Sequence, residues 1–109
     1  MKVVILPEVE GYLENLGRIL YEYEYFGFEE DAIKYVEELV FEIKKQLPIR
    51  QRKPAPAYFD KYGKGMYYAA FKKNKRTSWY AFFRIYEING DRIYQVRYIA
   101  NNHTVAQYL

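Results

Sequence analysis

The sequence predicts a single α+β domain over residues 1–109, with a helical hairpin packed on one face of a mostly antiparallel, four-stranded sheet. Asn89-Gly90 separates two runs of aromatic and β-branched residues, the strongest short-range signal for a β-hairpin, because a type I′ turn needs positive φ at both central residues. Two stretches with apolar residues at helical spacing precede the hairpin. A chain of 109 residues is long enough for one core without disulfides.

The first half of the chain predicts one strand and two helices. Residues 2–6 form an apolar run that predicts the first strand. The apolar spacing predicts a helix over residues 8–25, which Gly27 is expected to end. A second helix is expected from Glu29 to the residue before Pro48. The short link between them predicts an antiparallel helical hairpin.

The second half predicts a loop, three strands and a short terminal helix. Residues 48–62 contain three prolines and are expected to be a loop. Aromatic and apolar residues predict strands over residues 64–73, 77–88 and 92–100, and residues 101–109 predict a short helix or tail.

A two-residue turn fixes which side chains of the hairpin share a face. The odd-numbered residues from 79 to 87 then share one face of the hairpin with the even-numbered residues from 92 to 100, because side chains alternate along a strand. That face, with Trp79 and Tyr98, is assigned to the core. The opposite face carries rings and guanidinium groups together: Tyr80, Phe82, Arg84, Tyr86 and Arg97. In one register of the preceding strand, Tyr67 and Phe71 lie beside Tyr80 and Phe82, and a slip of one residue exchanges the faces.

Charge and composition limit the classes of function. Residues 1–46 carry eleven acids and five bases, net −6, while residues 47–109 carry twelve bases and three acids, net +9. This division suggests an anionic partner, although the acidic helices can also neutralise the basic sheet within the molecule. Without cysteine, with one histidine and without a long apolar run, we expect no metal, no cofactor and no membrane span, and a cytoplasmic protein.

The candidate catalytic residues are His103, Tyr108 and Arg84. His103 is suited to acid–base chemistry near neutral pH, Tyr108 to donating a proton or stacking on a base, and Arg84 to neutralising a phosphate. Each has a plainer interpretation. A histidine near the end of the chain is often a surface or capping residue, and a terminal tyrosine often only holds the tail on the sheet.

The candidate RNA-binding residues come from the turn at 73–76 and from the outer face of the hairpin. The set comprises Arg97, Lys72, Lys73, Arg76, Tyr80 and Phe82. Lysine and arginine at a turn can follow a phosphate backbone, and aromatic rings can stack on unpaired bases. Alternatively, the turn is only a solvated hairpin end, and the two rings form a small second core under the proline-rich loop.

The order of elements and the tail resemble the RelE/ParE superfamily of toxins from type II toxin–antitoxin systems. The resemblance rests on residues 3–6 leading into a helical hairpin, on residues 32–39, on Leu47-Pro48, on the strand at 78–86, and on Tyr98-Ile99-Ala100-Asn101-Asn102-His103 followed by Tyr108. It implies either metal-independent cleavage of mRNA on the ribosome, as in RelE-like members, or inhibition of DNA gyrase, as in ParE-like members. It also implies an antitoxin protein as partner.

The family's site residues match this sequence only in part. Its tyrosine corresponds to Tyr108, and a tail histidine used by some members corresponds to His103. The position of its strand arginine is Tyr80, and that of its second basic residue is Asn102. Of the two activities that the resemblance implies, we expect mRNA cleavage, which makes the protein a toxin that acts as an endoribonuclease. The alternatives are a gyrase inhibitor and a degenerate member that only binds an antitoxin.

Overall fold

The computed structural model describes residues 1–23 and 25–109, and it confirms the α+β class. The strands are β1 (Lys2–Ile5), β2 (Lys53–Pro54), β3 (Tyr67–Lys72), β4 (Ser78–Ile88) and β5 (Asp91–Asn101). The α-helices are α1 (Pro7–Glu22), α2 (Glu29–Gln46) and α3 (Asn102–Val105). Short 3-10 helices span Leu47–Ile49, Ala57–Tyr62 and Ala106–Tyr108.

The sheet has the strand order β1-β5-β4-β3-β2, with β1 parallel to β5 and the other pairs antiparallel. It therefore has five strands in the described chain where the sequence predicts four. The additional strand, β2, lies in the proline-rich stretch predicted as a loop. It is only two residues long and lies at the edge of the sheet, where proline is tolerated because the outer side of the strand needs no ladder hydrogen bond.

The two long helices form the predicted hairpin. The first ends at Glu22, earlier than the predicted end at residue 25, and residue 24 lies outside the described residues. The second begins at Glu29 as predicted, with three acids in its first turn and Lys44 and Lys45 in its last turn, where they interact favourably with the helix dipole. Across the described part of the chain, neither helix is long and apolar enough to span a membrane.

The register of the β4–β5 hairpin is correctly predicted only as far as Val96. Asn89 and Gly90 have φ of 52° and 80°, as the turn requires, and Phe83 pairs with Val96. The next pair is Phe82 with Tyr98, so Arg97 is an extra residue, a β-bulge. Beyond it every side chain of β5 changes face.

The bulge reverses the predicted faces of three side chains, those of residues 98–100. Tyr98 and Ala100, predicted on the core face, lie on the opposite face, and Ile99 enters the main core in their place. The β3–β4 register is the slipped alternative: Tyr68 pairs with Phe82 and Ala70 with Tyr80.

Buried residues form two clusters, one on each face of the sheet. The helices cover the larger cluster, which includes Trp79, Phe83 and Tyr94 from the sheet. The 3-10 helix Ala57–Tyr62, called the 57–62 helix below, covers the other face. The second cluster consists of Phe59, Met66, Phe82, Ala100 and Val105. This cluster corresponds to the alternative in which aromatic rings of β4 form a small second core under the proline-rich loop.

The C-terminal part of β5 has no neighbour among the described strands on the edge that faces β1. Strand β1 pairs with β5 only up to Ile5 opposite Val96, and the chain then turns into α1. Residues 97–101 therefore have no strand on that side within the described sheet. A recess of about 600 Å³ runs along this edge between α1 and the 57–62 helix.

Gly63 closes the 57–62 helix against the bulge, and its replacement tests this contact. Its φ is +147°, and a Cβ there would lie 2.7 Å from Nε of Arg97. That Nε donates a 2.6 Å hydrogen bond to the Tyr62 carbonyl and cannot shift without losing it. We expect Gly63→Ala to lower the free energy of unfolding by about 1–3 kcal/mol, measured by urea denaturation.

Gly11→Ala is the matched control. Gly11 lies within α1, and beyond its own helix backbone no atom lies within 4 Å of the position that an added methyl group would take. Alanine there is expected to stabilise the protein by about 0.5–1 kcal/mol, because glycine loses more backbone entropy in a helix. Equal and small effects of both substitutions would contradict the contact described for Gly63.

Candidate functional site

Two stacked pairs of tyrosine rings lie where the 57–62 helix meets β5 and the tail. The rings of Tyr58 and Tyr108 have centroids 3.7 Å apart and planes within 3°. Those of Tyr62 and Tyr98 are 3.9 Å apart and within 6°. Nζ of Lys61 lies 4.3 Å from the Tyr58 ring centroid and 5.4 Å from that of Tyr62. These five residues are called the tyrosine strip below.

Buried residues hold the tyrosine strip in place. Phe59 is fully buried and stacks at 4.4 Å on Phe82, which fixes the 57–62 helix on the sheet. Val105 is buried in the same cluster and fixes the tail. Burial of these three side chains therefore positions rings that themselves remain partly exposed, with Tyr58 43% and Tyr108 38% accessible.

The two stacked phenols differ in acidity. The pKa of Tyr58 is lowered from its ordinary 10.0, because its phenolate would accept hydrogen bonds from the Tyr108 hydroxyl and the Lys61 ammonium, whose charge also favours it. The pKa of Tyr108 is raised, because hydrogen bonding to the Tyr58 oxygen and the negative charge of a Tyr58 phenolate both disfavour ionisation of Tyr108. Burial raises the pKa of Tyr98. The pair thus has one phenol whose pKa is lowered and one whose pKa is raised.

The two mid-strand arginines lie close together on the outer face, as predicted, but are engaged within the protein. Nη1 of Arg97 donates to Oε1 of Gln95 at 2.7 Å, and Gln95 pairs across the strands with Arg84. The Arg84 guanidinium lies 5.2 Å from the centroid of the Tyr86 ring. Both arginines are half-buried. Through its bond to the Tyr62 carbonyl, Arg97 adjoins the tyrosine strip, whereas no described contact joins Arg84 to that strip.

The predicted basic residues of the turn separate into two environments. Lys72 and Arg76 are exposed at the β3–β4 turn. Lys73 bends toward the helices, with Nζ 5.1 Å from the centroid of the Tyr35 ring. Asn74 shapes the turn by accepting hydrogen bonds from the backbone N–H groups of Arg76 and of the next residue.

The two rings predicted to stack on bases are parts of the second core. Phe82 is 0% exposed, between Phe59, Tyr68 and Tyr98, so it has no free face for a base and this prediction is corrected. Tyr80 is half-buried and meets Tyr68 edge to face at 5.9 Å. It lines a cavity of about 610 Å³.

His103 and Tyr108 do not form one site. His103 faces a small cavity at the end of the helical hairpin, beside Trp79 and Asn101. Tyr108 lies on the tyrosine strip, and the described contacts of the two residues have no partner in common. Val105 lies between them in the chain and is buried, so it holds the tail in place. His103 then faces the cavity, and Tyr108 lies on the tyrosine strip.

Sequence reasoning missed the 57–62 helix, which provides three of the five residues of the tyrosine strip. Tyr58, Lys61 and Tyr62 lie in the stretch predicted as a loop, although their spacing of three and four residues is that of side chains on one face of a helical turn. Asn102, matched above to a basic position of the family, is structural here. Its side chain accepts from the Ser78 N–H and donates to the Arg76 carbonyl, which fastens the tail to the β3–β4 turn.

Comparisons of the chain with protein-family models, with curated proteins and with solved structures found no match. The described residues also include no group of three histidine or acidic side chains placed to hold a metal ion. The interpretation of the site therefore rests on the chemistry of the tyrosine strip and of its surroundings.

The acidity of Tyr58 can be tested directly. Replacing Tyr108 by phenylalanine keeps the ring stack but removes the hydroxyl that stabilises the Tyr58 phenolate. We expect the pKa of Tyr58, followed by NMR titration of its ring carbons, to lie below 10.0 in the native protein and to rise toward that value in Tyr108→Phe. Tyr21→Phe, on α1, is the control and should leave it unchanged. A Tyr58 pKa that is insensitive to Tyr108→Phe would contradict the role given to the Tyr108 hydroxyl.

Proposed function

We propose that this protein is the toxin of a type II toxin–antitoxin system that acts in the cytoplasm by cleaving mRNA on the ribosome, without a metal. The observation that carries the proposal is the tyrosine strip: stacked phenols of unequal pKa with an ammonium group over their rings. Single-stranded RNA is bound by exposed rings and cations, and its cleavage requires a proton acceptor and a proton donor close together.

Binding of the RNA is supported by the charge of the second half of the chain. Tyr108 is 38% exposed, and the ring face that Tyr58 leaves uncovered suits stacking with an unpaired base, which contributes about 1–3 kcal/mol per base in proteins that bind single strands. The ammonium of Lys61 lies beside them, where it can pair with a phosphate. The basic side chains of the turn extend the positive surface, since Lys72 and Arg76 are exposed.

The chemistry assigned to the site is attack of a ribose 2′-hydroxyl on the adjacent phosphate. Tyr58, as phenolate, accepts the 2′-hydroxyl proton; the 2′-oxygen bonds to phosphorus and the bond to the 5′-oxygen breaks. Tyr108 gives its proton to that 5′-oxygen, leaving a 2′,3′-cyclic phosphate and a 5′-hydroxyl. A proton passing from Tyr58 to Tyr108 restores the starting state. Groups whose surroundings separate their pKa values are suited to such opposite roles.

Positive charge stabilises the phosphate as negative charge develops on it. In this proposal Lys61 does so at the site, and Arg97 holds the Tyr62 carbonyl and thereby the end of the 57–62 helix. His103, considered for proton transfer from the sequence, and Arg84, considered for neutralising the phosphate, have no role in this mechanism.

The open edge of β5 supports a second candidate function, that of a toxin that binds a protein such as DNA gyrase and cleaves no RNA. An extended segment can add to an unpaired strand edge by backbone hydrogen bonds. The recess along residues 97–101 has Leu6, Val9 and Tyr12 on one wall and Lys61 and Tyr62 on the other. An antitoxin is expected to bind this protein in either case.

Two conservative substitutions test the nuclease proposal. Tyr58→Phe and Tyr108→Phe keep both rings and remove one hydroxyl each. We expect each to slow mRNA cleavage on purified ribosomes by about 10²- to 10⁴-fold, the usual contribution of acid–base catalysis. The matched control is Tyr21→Phe, at 39% exposure comparable with the 38% of Tyr108, and it should cleave normally.

The rate is also expected to depend on pH in a defined direction. It should rise with pH as Tyr58 ionises and fall once Tyr108 loses its proton, and Tyr58→Phe should remove the rising limb.

Mapping of mRNA 5′ ends after induction would identify the cut sites. Cleavage that persists in both phenylalanine variants would reject this mechanism. Intact mRNA together with inhibited DNA supercoiling would favour the second candidate.

A further inference from the structure

A small aromatic cavity lies at the end of the helical hairpin, on the opposite face of the sheet from the second core. Its volume is about 200 Å³, and four rings line it: Tyr25, Phe26, Tyr35 and Trp79. Sites for drug-sized ligands usually occupy about 300–1,000 Å³. The cavity therefore suits one small planar group.

Contacts among the rings fix the deeper wall of this cavity. Nε1 of Trp79 donates a 2.8 Å hydrogen bond to the Tyr35 hydroxyl, and Trp79 is only 2% exposed. The ring of Phe26 meets that of Tyr35 at 5.2 Å. Tyr25, by contrast, is 71% exposed and lies at the entrance. The cavity thus has buried or mutually packed rings on one wall and an exposed aromatic side chain, Tyr25, on another.

Two polar side chains at the cavity have unused hydrogen-bonding groups. The imidazole of His103 is exposed and makes no hydrogen bond to any residue that the structure describes. Oδ1 of Asn101 accepts from the N–H of Thr104, whereas for its side-chain amide N–H groups no acceptor is found among the described residues. A donor from Asn101 and a donor or acceptor from His103 can thus bond to a ligand.

Positive charge surrounds one side of the entrance. Asn74 and Thr77 of the β3–β4 turn line the cavity, and the same turn carries Lys73, Lys75 and Arg76. Lys75 and Arg76 are exposed. A planar group in the cavity would therefore have cations beside it, the arrangement expected for a base that is attached to a phosphate backbone.

We propose that this cavity holds a single nucleobase of the bound RNA, with the phosphates on the β3–β4 turn and the edge of the base read by Asn101 and His103. The proposal rests on the proposed RNA-directed function and adds a specificity site to it. It also gives His103 a role in recognition, in agreement with its separation from Tyr108. Recognition of unstacked bases by aromatic rings and edge hydrogen bonds is the usual way in which proteins read single-stranded RNA.

The native fluorescence of the protein provides the test, because Trp79 is its one tryptophan. Short 2′-O-methyl RNA homopolymers of each base serve as probes, since they keep the bases but lack the attacking hydroxyl. We expect saturable changes in Trp79 emission, strongest for one base. Tyr25→Ala should weaken binding about 5-fold or more. His103→Ala should reduce the preference among bases by roughly 10-fold.

Two further variants separate this site from the tyrosine strip. Tyr21→Ala, on α1 outside the cavity, should leave affinity and base preference unchanged. Tyr58→Phe should keep the Trp79 response while cleavage of ordinary RNA is slowed by about 10²- to 10⁴-fold. Since Tyr25 and His103 are exposed, their replacement is not expected to disturb folding.

The outcomes distinguish this inference from the function on which it rests. RNA that binds, as measured by anisotropy of a labelled strand, without a Trp79 response and without an effect of Tyr25→Ala or His103→Ala would overturn the cavity as a base site and leave the nuclease proposal standing. Absence of RNA binding and of cleavage would reject both. Normal base preference in His103→Ala would also overturn the role given to that residue.

Discussion

The single extra residue at Arg97 determines which side chains meet on each face of the sheet. Without a bulge, strict alternation would place Tyr98 and Ala100 under the helices and turn Ile99 outward. With it, Ile99 completes the main core while Tyr98 stacks on Tyr62. The guanidinium of the same residue holds the Tyr62 carbonyl. The bulge and the 57–62 helix thus depend on each other, and the tyrosine strip depends on both.

The end of the chain connects the two faces of the molecule. Asn101 caps α3 and Asn102 fastens it to the β3–β4 turn, while Val105 enters the second core. A segment of a few residues is too short to be a stable helix alone, so these contacts determine its position. As a result, one short tail contributes His103 to the aromatic cavity and Tyr108 to the tyrosine strip. His103 has the proposed role in recognition, and Tyr108 has the proposed role in proton transfer.

Periodicity and turn chemistry predict the framework but not the site. The Asn89-Gly90 turn, the apolar stripes of the helices and the order of elements follow from local rules, and the structure agrees with them. The bulge does not follow, because the contacts that accompany it come from a distant segment: Arg97 donates to the Tyr62 carbonyl, and Tyr98 stacks on Tyr62. For the same reason, alternation alone predicts Phe82 as a surface ring and gives Tyr58 and Lys61 no role. Their burial and stacking depend on contacts between segments far apart in the sequence.

The separation of charge between the layers has a consequence at distances beyond contact. Most acids of α1 and α2 are exposed on the helical side, and most exposed bases lie on the sheet and its loops, so the molecule has an electric dipole directed between the two layers. Near any polyanion it experiences a torque that turns the helices outward before the surfaces touch. The torque acts over roughly 10 Å at 0.1 M ionic strength, and weakens as salt is added.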